Sequence, residues 1–275
     1  MHKTGPPSIS SMLGLTPLFP KYPSKNNSRL PPPLRLQCST QVKHMKIAGM
    51  IGGLGPESTL DYYKLLIALY RKRRPDAEYP SLIINSVDFA TGLRLVTAGQ
   101  FDELADFLAD GVDRLTKAGA AFAFFSANTP HIVFDQVQRR AAIPMISIVT
   151  AARDRAHAMG LKRVGIFGTR FTMQAKFFPE EFAHAGIAVL TPSDSEQAFI
   201  HEKYLGELIP GRFLPETRDH MLQIAARMKA DNGIEALILA GTELPLLLRG
   251  APTGGLEFLD TTEIHVEAII DEMLR

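Results

Sequence analysis

The chain has 275 residues, 45% of them hydrophobic, a length that can bury a sizeable core in one large or two smaller domains. Its net charge of +1 hides an asymmetry: residues 1–44 carry six Lys or Arg and no Asp or Glu, leaving 24 basic against 29 acidic residues in a body at −5. That balance argues against nucleic acid as a partner, the lack of any apolar run near about 18 residues argues against a membrane-spanning helix, and a single cysteine, Cys38, excludes an internal disulfide and a multi-cysteine metal site.

Residues 1–44 hold eight of the 19 prolines, including Pro31, Pro32 and Pro33, and are expected to be a disordered leader. Their Ser-rich, acid-free composition suits an organellar transit peptide, although no amphipathic helix is evident. The favoured alternative is a start assigned too far upstream, because Met45 stands directly before the first clean strand. Nothing near Cys38 in sequence supplies a base that would make its thiol reactive.

From there strand, turn and helix alternate. Residues 46–51 read as an apolar strand, Gly52 to Pro56 as a glycine-rich turn, and the next segment as a helix with Leu60, Tyr63, Ile67 and Tyr70 at helical spacing. Strands are expected at 81–87, 120–125 and 144–149, with Phe101, Leu104, Leu108, Val112 and Leu115 marking a helix between the first two. The pattern then restarts. Residues 163–169 repeat the strand-to-glycine turn, further strands follow at 187–190, 236–240 and 258–259, and helices cover about 195–208, 215–230 and 262–274. Such alternation implies an α/β fold with mainly parallel sheets, and the repetition implies two similar three-layer lobes: residues 45–149 with 260–275, and residues 150–259. A ligand is expected in the cleft between them, outside the carboxyl ends of the strands.

Four strand ends are rich in small and hydroxyl residues. The first runs from Gly52 to Thr59; it lacks the Lys-Ser/Thr of a P-loop and the spacing of a dinucleotide fingerprint, but exposed N–H groups around Gly53 and Leu54 would hold a carboxylate. The others are Ser126 to His131, Gly168 to Thr172, which contains Thr169, and Gly241 to Pro245. The second and fourth occupy equivalent places in the two lobes, which would set Asn128, Thr129 and Thr242 across one cleft from each other. For each of these residues a helix cap is the competing reading.

Taken in order, Met50 to Thr59 with Tyr62 and Tyr63, Asn85 to Phe89, Ala127 to His131, Gly168 to Met173 and Gly241 to Leu246 resemble the motifs of the cofactor-independent aspartate/glutamate racemase family, within the Asp/Glu/hydantoin racemases. The resemblance spans about residues 46 to 270. It implies two cysteines on opposite sides of a substrate α-carbon, working without pyridoxal phosphate, other cofactor or metal; these would fall at Ser126 and Gly241, and neither thiol is present. A serine hydroxyl is too weak an acid to replace a thiol unaided, and glycine has no side chain. What the resemblance retains is a binding apparatus in Asn128, Thr129 and Thr242, suited to an amino acid or small dicarboxylate.

Replacement acid/base groups are His131, which titrates near neutrality when unperturbed, and Glu243, which would act as a base or cap backbone groups. Lys203 would either pair with a substrate carboxylate or lie on a solvated helix face. The remaining histidines lack metal-ligand spacing, so no metal is expected. Three functions stay open: an amino-acid racemase with unconventional acid/base residues; a decarboxylase or cis-trans isomerase of a small acid; and a non-catalytic carboxylate-binding protein. A cytoplasmic homodimer is expected, or an organellar protein if the leader is a transit peptide.

Overall fold

The computed structural model describes residues 45–76 and 79–275, all within one compact unit; the expectations for residues 1–44, Cys38 included, lie outside the described residues. Chain order is β1 (Ala48–Gly52), α1 (Pro56–Arg73), β2 (Leu82–Ser86), α2 (Phe89–Thr97), α3 (Phe101–Lys117), β3 (Phe122–Phe125), a 3₁₀ turn (Thr129–Val133), α4 (Phe134–Arg140), β4 (Met145–Ile146) and α5 (Ile148–Ala158). The second series is β5 (Arg163–Gly168), α6 (Arg170–Gln174), α7 (Phe177–Ala183), β6 (Ala188–Leu190), α8 (Asp194–Lys203), a π turn (Tyr204–Leu208), α9 (Pro215–Asn232), β7 (Ala236–Ala240), α10 (Leu244–Leu248), β8 (Glu257–Asp260) and α11 (Thr261–Leu274).

Two parallel four-stranded sheets result, in the orders β2-β1-β3-β4 and β6-β5-β7-β8. The orders are the same permutation, as the internal repetition implies. Strands β1, β3 and β7 are buried along their whole length, which is why they read as unbroken apolar runs rather than alternating ones. Alternation still divides their side chains between layers: Ile51, Ala123 and Phe125 pack towards α3, whereas Met50, Phe122 and Phe124 pack towards α1 and α11.

The two lobes exchange helices. Helix α5 follows the first sheet yet buries Ile148, Val149, Ala152 and Ala156 against Val164, Ile166 and Ile238 of the second. Helix α11 follows the second sheet and buries Val266, Ile269, Ile270 and Met273 against the first. His265 anchors α11: its Nδ1 accepts from the Tyr62 hydroxyl at 2.8 Å and its Nε2 donates to the Ile146 carbonyl at 3.1 Å.

One local expectation needs correction, and one element was not foreseen. The strand expected at 144–149 is only Met145–Ile146, because Ser147 caps α5 by accepting from the N–H groups of Val149 and Thr150 at 3.2 and 3.3 Å. Helix α2 was not legible in the sequence; Asp88 caps it, accepting from the Thr91 N–H at 2.8 Å, and the helix becomes one wall of the cleft.

Candidate active site

The carboxyl ends of β1, β3, β5 and β7 meet at a cavity of about 70 Å³. Its lining is mostly apolar, with Leu54, Phe89, Leu93, Val96, Leu104 and Ile209 among it, and its polar side chains are Asn128, Thr129, Thr169, Tyr204 and Thr242, beside Gly241. Asn128, Thr129, Thr169 and Thr242, expected from opposite strand ends, thus share one cavity with Leu54. Gly53, Ser126, His131, Lys203 and Glu243 lie off its lining.

Beside the cavity, the hydroxyls of Thr129, Thr169 and Thr172 form a closed ring, each pair 3.1 Å apart. The ring joins the strand end of the first sheet to that of the second. Thr169 also caps α6 by accepting from the Thr172 N–H at 3.2 Å, so its bland reading holds beside its place on the cavity. Asn128 makes no side-chain cap. Its Nδ2 donates to the Thr261 hydroxyl at 3.1 Å, and that hydroxyl donates onward to the Leu239 carbonyl at 2.7 Å. Asn128 Oδ1 is buried without a hydrogen-bond partner.

Gly241, where the resemblance puts the second thiol, faces an occupied space. A Cβ built there would lie 2.8 Å from the Tyr204 phenolic oxygen and 2.9 Å from its Cζ, with Cε2 nearer still. The ring of Tyr204, carried in by the π turn after α8, therefore stands where a residue-241 side chain would project. Irregular turns of this kind recur at functional positions. The Tyr204 hydroxyl donates to Glu243 Oε2, which also accepts from Thr242 Oγ1 at 3.1 Å; Ser58 Oγ shares its one proton between Glu243 Oε1 at 3.1 Å and the Gly55 carbonyl at 2.8 Å.

Glu243 therefore crosses from the second sheet to the first turn of α1. It is 1% exposed, and burial raises its carboxyl above the ordinary value even against the hydrogen bonds from Tyr204, Ser58 and Thr242. Burial first, and then the Glu243 charge, push the Tyr204 phenol well above its usual value, so it stays protonated. Gly55 is needed beneath them: its φ is +138°, and a Cβ there would run into Glu243 Oε1 and stand 2.6 Å from Ser58 Oγ.

Other candidates are held elsewhere. Ser126 is fully buried, and its hydroxyl donates to the Ile51 carbonyl at 3.1 Å, with no base beside it. His131 does not titrate near neutrality. Burial lowers it to about 3; its Nδ1 donates to the Asn128 carbonyl at 3.1 Å, its Nε2 accepts from the Ile148 N–H at 3.2 Å, and its ring stacks on Phe134. Lys203 donates to Glu207 Oε1 at 2.7 Å, away from the cavity. Gly53 gives its N–H to Thr59 Oγ1 at 2.9 Å and is not free to hold a carboxylate with it. Sequence reasoning missed Tyr204 and the α2 wall; the one available signal was the glycine at residue 241, which leaves room for a large neighbour.

Comparison with known proteins agrees with this architecture. A sequence profile for Asp/Glu/Hydantoin racemase matches residues 51–269. The fold is similar to the crystal structure of a candidate Asp/Glu racemase from Yersinia pestis, with 29% identity, a TM-score of 0.76, and coverage of 84% of this chain and 100% of that one. It is similar also to an aspartate racemase homologue from Pyrococcus horikoshii OT3, at 34% identity and a TM-score of 0.73, again covering 84% of this chain and 100% of that one. The broad specificity amino-acid racemase RacX of Bacillus subtilis (strain 168) is 26% identical over 154 residues, 54% of this chain and 66% of its own length.

Proposed function

The chain belongs to the Asp/Glu/hydantoin racemase family, and from that premise we propose that it is a cofactor-independent enzyme that moves a proton at the carbon next to a small carboxylate, from one face of the cleft, through Tyr204 and Glu243. The observation that carries this reading is the Tyr204 ring on the cavity wall in the space left by Gly241, hydrogen-bonded to a buried carboxylate behind it.

The chemistry is a two-group relay. As a base, the phenolic oxygen of Tyr204 takes the α-proton while its own proton passes to Glu243 Oε2; the electrons of the broken C–H bond remain on the substrate as a carboxylate-stabilised carbanion. In reverse, the Glu243 carboxyl returns its proton to Tyr204 as Tyr204 protonates carbon. A carboxyl raised by burial accepts that proton more readily than an ordinary one. On the other face Ser126 spends its only donor on a backbone carbonyl and has no base to deprotonate it. The proton therefore returns to the face it left. Exchange with retention of configuration follows, and inversion does not.

The same one-faced donor favours decarboxylation of a malonate-like acid as the second reading: the C–C bond breaks, CO₂ leaves, the electron pair stays on carbon, and Tyr204 protonates it once. The reading also includes a homodimer, supported by the apolar side chains on α1, where Leu60 and Tyr63 are 53% and 48% exposed; light scattering that gives a monomer mass would remove that part.

The test is proton NMR of candidate amino acids in D₂O, with chiral chromatography of the product. The expected result is α-deuteration with retention, lost in both Tyr204→Phe and Glu243→Gln. A racemic product, or exchange untouched by either change, would overturn the relay.

A further inference from the structure

Helix α10 is five residues long, and on either side of it stands a side chain that reaches α1. Glu243, directly before it, accepts from Ser58 Oγ at 3.1 Å; Arg249, directly after it, donates from Nη2 to Asp61 Oδ2 at 3.5 Å. Ser58 and Asp61 are three residues apart and so share one face of α1. Apolar packing does not join the two helices: Leu244, Leu247 and Leu248 are buried in a cluster of the second lobe, Tyr62, Leu66 and Tyr70 in one of the first, and the clusters have no residue in common. Among the described residues, the hydrogen bonds that tie α10 and its flanks to α1 are these two.

The first contact depends on spacing. Ser58 Oγ has the Gly55 carbonyl 2.8 Å away in its own turn, and one proton serves both acceptors. The bond to Glu243 is the longer of the two, so a separation of about half an ångström between the helices would end it and leave the proton on Gly55. The second contact holds that spacing. Arg249 Nη2 also donates to Asp260 Oδ2 at 2.8 Å, while Asp260 Oδ1 caps α11 by accepting from the N–H groups of Thr262 and Glu263 at 3.0 Å. The Asp61 and Asp260 side chains are 12% and 14% exposed. Burial holds the Asp61 carboxyl above its ordinary value and the Asp260 charge adds to this, whereas Arg249, and more weakly Lys64, oppose it. Without Arg249, two largely buried carboxylates would face each other unpaired and push α1 away from the β8–α11 junction.

We propose that Arg249 is a positioning residue: by pairing with Asp61 and Asp260 it holds the end of α10 on α1 and so keeps the Ser58 hydroxyl on Glu243. Arg249 is itself off the cavity lining. Its effect on turnover rests on the reading that Glu243 backs Tyr204 in proton transfer.

The test is carbon-13 NMR of the full chain labelled at the glutamate carboxyls, with the Glu243 signal assigned by its loss in Glu243→Gln and each variant checked for folding by circular dichroism. Loss of one hydrogen bond to a carboxylate should raise the Glu243 transition by about one pH unit. That shift is expected in Ser58→Ala, in Arg249→Gln and in Asp61→Ala, and the double variant Ser58→Ala with Arg249→Gln should show it once rather than twice. Asp61→Ala separates a tether from a field, because removing a negative charge would by itself lower the transition. It also carries the test if Arg249→Gln, with two carboxylates left unpaired, does not fold. A downward shift in Asp61→Ala, additive shifts in the double variant, or the absence of a shift in any of the three single variants would overturn the inference. The pH profile of α-proton exchange should move upward with the carboxyl transition in Arg249→Gln. Carboxyl shifts as expected in a protein that shows no exchange at all would overturn the relay and leave the positioning role of Arg249 standing.

Discussion

Restoring a side chain at residue 241 is the perturbation that probes the site most directly. In Gly241→Ala the new methyl would sit 2.8 Å from the Tyr204 oxygen and 2.9 Å from Cζ, where carbon–carbon contacts normally lie at about 3.5–4.0 Å. Tyr204 is 4% exposed and packed among the buried side chains of the second lobe, so its ring cannot swing aside freely. Overpacking of this kind costs about 1–3 kcal/mol, and displacing the ring adds loss of its hydrogen bond to a charged group, about 1.5–3 kcal/mol. Tyr204→Ala alone should cost about 3–5 kcal/mol, as removal of a large buried ring does. If the two residues compete for one space, the double variant should be more stable than the sum of the singles by about 1–3 kcal/mol. Urea unfolding of all four proteins gives the coupling; at about 2–4 °C per kcal/mol for a domain of this size, thermal scans would show it too. An unshifted midpoint for Gly241→Ala, or strict additivity, would refute the claim that Tyr204 fills the space a residue-241 side chain would take.

Three further outcomes follow from the same geometry. The rate of α-proton exchange should rise with pH through a transition lying above the ordinary carboxylate range, since burial raises Glu243, and Glu243→Gln should remove that transition; a profile unchanged in the variant would exclude Glu243 as the group that titrates. His131 and His265, both lowered by burial to about 3, are neutral when folded, so the stability they contribute is complete above the unfolded value near 6.5 and is lost as pH falls from there towards 3. The expected slope is about 1.4 kcal/mol per pH unit for each histidine, opposed by Glu243, whose raised carboxyl contributes only at the acid end; urea midpoints that stay level between pH 7 and 5 would contradict it. Gly55→Ala should destabilise by about 2–4 kcal/mol, because it meets Glu243 and Ser58 in a strained backbone, whereas Gly99→Ala, with nothing within 4 Å, should cost only the positive φ, about 1–2 kcal/mol; equal costs would deny the close approach.

The fold was legible because its signals are local and repeated. Buried runs such as Phe122 to Phe125 and Ala236 to Ala240 carry the strand pattern in consecutive residues, and the glycine turns after β1 and β5 announce the duplication. Helix α2 was hidden because its start signal is a single capping aspartate, Asp88, at the end of an apolar strand. The site was legible only in part. Asn128, Thr129, Thr169 and Thr242 could be named because each follows a strand end, and strand ends of parallel sheets converge. Whether a side chain at such a position is free or engaged is decided by residues far away in sequence: Ser126 by Ile51, His131 by Ile148, Glu243 by Ser58 and Tyr204. No spacing rule reports such partners, and for that reason the residues chosen for their chemical type, His131, Glu243 and Lys203, are held off the cavity lining, as Ser126 and Gly53 are.

The two halves of the cleft share a topology but not a chemistry. The mirrored positions, Ser126 and Gly241, have been resolved in opposite ways: one carries a hydroxyl whose single donor is committed to a backbone carbonyl, while the other carries no side chain and admits a tyrosine from a neighbouring turn. A duplicated fold with equivalent groups on both faces can take a proton from one side and deliver it to the other. On the proposed reading, with a relay on one face alone, the carbanionic α-carbon of the substrate meets a proton donor from a single direction, and configuration is kept. The anchoring of Glu243 to Ser58, in the opposite half, adds a condition: the carboxylate that backs Tyr204 keeps its full set of donors only while α1 and the β7–α10 turn stay together. On the proposed reading, Ser58→Ala should therefore slow exchange without touching the substrate, and should move the Glu243 transition upward in pH, because one hydrogen bond that favours the charged carboxylate is gone. A slowed rate with an unmoved transition would mean that Ser58 only supports the fold.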